Sequence, residues 1–368
     1  MKKVLFFAAA AIMMVGCSKD QVVSEMPQDN AINFGMYFGR DAQSRAAIMN
    51  TTDLENQSFG VFAYYTDNSD YVEGTSTPNF MFDQFVEHDG SAWTYSPLKY
   101  WPNEATDKLS FFAYAPHRKQ SNGNITLGSF TNTTASAPSL TYTLDDDQSK
   151  HVDLLWADLV PNQTKQNTED KVHFVFKHAL SRIGFKSVAV IDESSNDANG
   201  NIDDGAHSNP LDGDTKITLK SIKLTGNFYK GGTFNLGTGA WDDYVAAAST
   251  EYNWATLDFL NDDVTTTKAV VLNDDKYLTV LPHASSQQIK IEVVYTVKTT
   301  DASLAGGYSE VTNTIVSDPF DFTFVQGYAY NFVLHVGLTS VKFSAEAAAW
   351  DPATEEDIVV NVPLNVLP

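Results

Sequence analysis

The 368-residue sequence holds one cysteine, only 24 lysines and arginines against 46 aspartates and glutamates, and no apolar run long enough to span a bilayer. Each shortage excludes something. One cysteine makes no internal disulfide, and it supplies no structural zinc site, which takes about four Cys or His ligands at close spacing. A formal net charge of −22 repels phosphate backbones and anionic surfaces, which argues against a nucleic-acid binder or a polybasic peripheral protein. No HExxH, GxSxG, Walker phosphate loop or GxGxxG occurs; Gly237-Thr238-Gly239-Ala240-Trp241 lacks the final glycine and the following helix. Catalysis is therefore not expected, and no cofactor is implied, although a carboxylate pair for glycoside hydrolysis is set by fold and leaves no spacing to search for. What is abundant is apolar and aromatic: 43% hydrophobic residues, with 23 Phe and 16 Tyr, rule out disorder. The length favours two domains over one.

Lys2 and Lys3 precede an apolar run from Val4 to Val15, followed by Gly16 and Cys17. That is a secretory signal, since a bilayer span takes about 20 apolar residues. The sole cysteine stands where a bacterial lipobox has its acylated residue, so Cys17 is read as a lipidation site; the alternative is a simple signal with an incidental thiol. Residues 1–16 are then removed, and the polar stretch 17–30 tethers the lipid to the folded body.

Beyond Asn30 a period of two recurs. Ile32, Phe34, Met36 and Phe38 alternate with smaller or more polar neighbours, as do 59–65, 109–115, 172–176, 289–297, 328–336 and 341–345. Between Ile217-Leu219 and Ile222-Leu224 the apolar parity slips by one, the mark of a β-bulge. Few windows carry a helical period, and those that do, such as 244–257, are short. Short Gly, Asn and Asp connections favour antiparallel β-sandwiches over an α/β fold. A boundary near His178 to Ser181 divides the chain into domains at 31–178 and 179–350. The acidic stretch 192–214 reads as a solvated loop, because the EF-hand order fails at Ile202, where glycine is required. His173 and His178, five apart on a strand, point to opposite faces. Trp93, Tyr95, Tyr100 and Trp101 are either a sugar-stacking face or the buried corner of a β domain.

Taken in order, the lipobox, Ile32-Asn33-Phe34, Arg45, Phe59-Gly60-Val61-Phe62-Ala63, Trp93 to Pro102, Leu109 to Pro116, Asp153 to Ala157, Val172 to Arg182 and Gly327 to Phe332 resemble the fimbrillin family, the type V pilins of Bacteroidota. The resemblance covers nearly all of the exported chain. It implies two transthyretin-like sandwich domains, export as an outer-membrane lipoprotein, cleavage by an arginine-specific protease, and polymerisation with other pilin subunits by strand exchange.

Both halves of that mechanism have candidates at the chain's ends. The first is the strand carrying Ile32, Phe34, Met36 and Phe38, followed by Arg45-Ala46 as the preferred cleavage point and Arg40 as the second. The alternative is that both arginines are plain solvated residues. The second is the segment 351–368, where Ile358, Val360, Val362, Leu364 and Val366 alternate as a donor strand. Its alternative is an edge strand folded onto its own domain, a place that Pro363 also suits. The expectation is a pilus subunit at the cell surface. Its alternatives are a lipid-anchored tip or surface adhesin that binds a glycan or protein, and a surface glycan-processing enzyme.

Overall fold

The structure, a computed structural model, describes residues 30–38, 55–168, 171–189, 215–246, 250–253, 270–271, 277–283, 285–337 and 341–349. Those residues form four β-sheets and almost no helix. Strands are numbered in chain order.

The largest sheet has seven strands in the order β1 (Phe34–Phe38), β9 (Val172–His178), β8 (Leu155–Gln163), β5 (Leu109–Ala115), β2 (Ser58–Tyr65), β3 (Met81–His88) and β4 (Trp93–Thr94). Its central strands β2 and β5 are buried along nearly their whole length, because each face covers a different core. Phe59, Val61, Phe111 and Ala113 face one core, while Phe62, Tyr64, Phe112 and Tyr114 face another. The second core is closed by a four-stranded sheet in the order β13 (Ala240–Ala246), β12 (Tyr229–Asn235), β7 (Ser139–Thr143) and β6 (Ile125–Thr126). β6 and β7 precede His178 and β12 and β13 follow it, so this sheet draws on both halves of the chain.

The remaining two sheets enclose a third core. One runs β15 (Val270–Val271), β10 (Ser181–Ala189), β20 (Tyr328–Val336), β21 (Val341–Ala349), with β16 (Leu278–Val280) also on β10. The other runs β14 (Thr250–Asn253), β11 (Thr215–Gly226), β17 (Gln287–Thr300), β18 (Tyr308–Val316), with β19 (Phe320–Phe322) also on β17. On β17 the alternation does what it predicts: Ile289, Ile291, Val293 and Tyr295 are fully buried. On β11 the register shifts between Leu219 and Ser221, and the bulge keeps Ile217, Leu219, Ile222 and Leu224 all on the core side.

Most pairs are antiparallel, as expected. Two are parallel, β1 with β9 and β10 with β20. In each case many strands intervene in sequence, so no hairpin turn dictates an antiparallel partner. The window 244–257 forms strand in its described parts, the end of β13 and β14. The acidic stretch 192–214 lies outside the described residues.

Candidate functional site at the β1 edge

β1 is the end strand of the seven-stranded sheet. It pairs parallel with β9 over the register Phe34↔Val172 to Phe38↔Phe176, and the Val172 amide donates to the Asn33 carbonyl at 2.8 Å. Just before β1, the chain bonds in the other direction. The Ile32 amide donates to Lys99 O at 2.9 Å, the Trp101 amide donates to Asn30 O at 3.0 Å, and Ala31 forms a bridge with Tyr100. The segment 30–38 therefore ties β9, at one end of the sheet, to the connection that follows β4, at the other.

The alternation of the sequence decides which side chains go inward. Ile32, Phe34 and Met36 are buried in the core of this sheet. The Phe34 ring stacks on Phe174 at 5.8 Å and meets Phe59, Tyr95 and Phe111 at 6.0, 5.4 and 6.2 Å. The backbone of Phe38 closes the register opposite Phe176. Tyr95 fixes the second wall of the slot. Its hydroxyl donates to Ile32 O at 2.8 Å, and burial pushes the phenol up to about 12, so it keeps its proton for that bond. Trp101 lies in the same core, its ring edge-on to Phe111 at 6.2 Å.

Past Ile32, β1 has only one ladder among the described residues. Between its outer edge and the β3–β4 turn lies a recess of about 280 Å³, lined by Asn33, Gly35, His88, Trp93 and Lys171 among others. His173 lines the same recess, and a Cβ built on Gly35 would come within 2.6 Å of its Nδ1, so glycine lets the His173 ring lie close against β1. The site is thus a slot with an aromatic floor, a full backbone ladder on the β9 side and a short one at 99–101. It is filled by a strand that contributes one buried side chain in every two.

Of the expected site residues, Ile32, Phe34 and Met36 come together here. Trp93 and Tyr100 are half-buried, while Tyr95 and Trp101 take the buried-corner role on the slot's wall. Their part in holding residues 30–32 carries no sequence motif; the only hint is the density of aromatics around Pro97. His178 is buried and pairs with Asp153 at 2.8 Å, while His173 lies beside Gly35. Cys17, Arg40, Arg45, Ala46, Ile358, Val360, Val362, Leu364 and Val366 lie outside the described residues.

A family model described as fimbrillin-like matches residues 44–350. Fimbrium subunit Fim1C of Phocaeicola vulgatus is 26% identical over 406 aligned positions that cover 97% of this chain and 99% of that protein. The crystal structure of a fimbrial protein from Bacteroides vulgatus shares the fold at a TM-score of 0.65 and 21% identity, covering 87% of this chain and 99% of that one. With the match running through all four sheets, the chain belongs to the fimbrillin-like family.

Proposed function

We propose that the chain is a structural subunit of a cell-surface pilus, exported as an outer-membrane lipoprotein precursor acylated at Cys17, cut after an arginine and polymerised by strand exchange. The carrying observation is β1. An end strand held mainly by one ladder buries Ile32, Phe34 and Met36 against an aromatic floor. Its loss would uncover Phe59, Tyr95, Phe111 and Phe174, and that surface needs a replacement.

Cutting after Arg45, with Arg40 as second choice, detaches residues 30–38 from the body. Ile358, Val360, Val362, Leu364 and Val366 offer the alternation that the slot accepts. Each such side chain, once buried, contributes roughly 1.5–3 kcal/mol before ordering costs. Main-chain bonds to β9 and to 99–101 supply the register. Domains at 31–178 and 179–350, joined by the sheet of β6, β7, β12 and β13, give a body that stays rigid while its ends exchange. The role is mechanical, with an arginine-specific protease and other pilin subunits as partners. The name of Fim1C, a fimbrium subunit, supports the same reading.

Val362→Asp, and separately deletion of 358–368, test it. The expected result is a monomer with unchanged thermal unfolding that no longer polymerises, because a charge or a missing strand leaves the neighbour's slot unfilled. If folding and assembly fail together, the segment belongs to its own domain. If the deleted chain still joins fibres, the anchored tip or adhesin reading takes over.

A further inference from the structure

β18 is a second open edge, distinct from β1. It ends its sheet, pairs with β17 over nine uninterrupted register positions, and is exposed along most of its length, with Val311 57% and Val316 50% accessible. Long, regular, exposed edges are templates for another strand, and proteins blunt them with charges, prolines, bulges or brevity. Apart from β1, most of the other described edges are blunted. β13 carries Asp242 and Asp243 and has two register breaks, β21 carries Lys342 and Glu346, and β4, β6 and β15 have two residues each. β18, Tyr308-Ser309-Glu310-Val311-Thr312-Asn313-Thr314-Ile315-Val316, has one charge and none of the other devices.

We propose that β18 pairs antiparallel with β18 of a second copy, joining two chains side by side about a two-fold axis at Thr312. The backbone sets the parity. The Ser317 amide donates to Ile291 O at 2.9 Å, and the Asp301 amide donates to Gly307 O at 3.0 Å. Continuing that alternation, Ser309, Val311, Asn313 and Ile315 bond to β17, and Tyr308, Glu310, Thr312, Thr314 and Val316 turn their N–H and C=O groups to the open edge. The only symmetric register that overlaps all nine residues is centred on Thr312, and with Thr312 facing outward its central pair is a hydrogen-bonded one. In that register Tyr308 faces Val316 of the second copy, an aromatic–β-branched pair, and Thr312 faces Thr312. Glu310 faces Thr314 and never its own counterpart. Within each chain Glu310 lies opposite Lys298, whose ammonium sits 3.7 Å from the Tyr308 ring centre. The edge is therefore locally neutral in a molecule of charge −22, and self-association meets no like charge along the seam.

The contact leaves β1 in place, so it is read on the uncleaved exported chain, residues 18–368, which contains no cysteine. Thr312→Cys is expected to form a disulfide-linked dimer on mild oxidation. Tyr308→Cys alone is expected to form no intermolecular disulfide, since the two copies of Tyr308 lie at opposite ends of the seam, whereas an equimolar mixture of Tyr308→Cys and Val316→Cys links. Thr312→Pro, which removes an outward donor, is expected to weaken the dimer in sedimentation velocity at least tenfold with thermal unfolding unchanged. The proposal is overturned if Thr312→Cys remains monomeric, if Tyr308→Cys alone links equally well, or if the dimer disappears when 358–368 is deleted, which would make the C-terminal segment the occupant.

Discussion

Phe34 and Phe174 stack with their ring centres 5.8 Å apart and their planes inclined by 27°, joining the first strand of the body to one that follows it by more than a hundred residues. That stack is the centre of the slot. Phe34→Ala is expected to cost the uncleaved chain about 3–5 kcal/mol, read as a lower urea midpoint at constant slope. In subunits taken from assembled fibres, where β1 has been replaced, a substitution at this position has nothing left to destabilise. A cost that persists there would show that β1 stays in the slot.

Gly60 lies under Tyr114 in the two-faced middle of the large sheet. A Cβ there would fall 2.2 Å from Tyr114 Cε1. The ring cannot swing away, because it is fully buried and its hydroxyl donates to Asp83 at 2.6 Å. Gly60→Ala is expected to destabilise by about 1–3 kcal/mol. Chemical denaturation measures it, and an unchanged midpoint would mean that Tyr114 has room to move.

Asp83 anchors a buried polar cluster, receiving Tyr114 Oη, His117 Nε2 at 3.2 Å and Arg118 Nε. Burial alone would raise its carboxyl; the bond and charge of His117, the Tyr114 hydroxyl and the Arg118 guanidinium outweigh it and hold the carboxyl below 3.8. A depressed carboxyl stabilises the fold above its unfolded value and ceases to do so as pH falls from 3.8 through the folded value. Asp83→Asn is expected to cost about 3–5 kcal/mol at neutral pH and to flatten the acid limb of a stability–pH profile.

His283 has the opposite character. Its ring lies among Phe228, Tyr229 and Phe324, neither nitrogen has a hydrogen-bond partner among the described residues, and burial lowers it to about 4 from 6.5. Between those values the unfolded chain binds a proton that the folded chain refuses, so stability falls as pH drops from 6.5 to 4. The loss is about 3 kcal/mol over the interval at about 1.4 kcal/mol per pH unit. His283→Phe is expected to abolish that slope and to leave the protein more stable than wild type at pH 5, by about 2 kcal/mol. Thermal unfolding at pH 7 and pH 5 decides it.

Much of this was legible in the residues because a half-buried strand writes its own pattern. Ile289 to Val297, the bulge between Leu219 and Ser221 and the inward face of Ile32, Phe34 and Met36 all follow from alternation alone. What alternation does not carry is the partner. Nothing in Phe34–Phe38 specifies β9 or a parallel ladder, and nothing in Leu140 or Phe234 announces that they sit opposite each other across the two halves. For Tyr95 and Trp101 the residues favour a buried corner over a ligand face, since that is the commoner role of such rings, but do not say what the corner holds. Only the bond from Tyr95 to Ile32 O assigns them to the slot. In β2 and β5 the near-continuous apolar runs record burial on both faces, which a single-face reading undercounts.

The exchange mechanism is tested most directly by limited digestion of residues 18–368 with an arginine-specific protease, followed by intact mass and an unboiled, non-reducing gel. A single cut after Arg45, loss of the peptide carrying Ile32 to Phe38 and a ladder of heat-sensitive oligomers are expected. A chain that resists cleavage, or a clipped monomer that never assembles, would contradict strand exchange through the β1 slot.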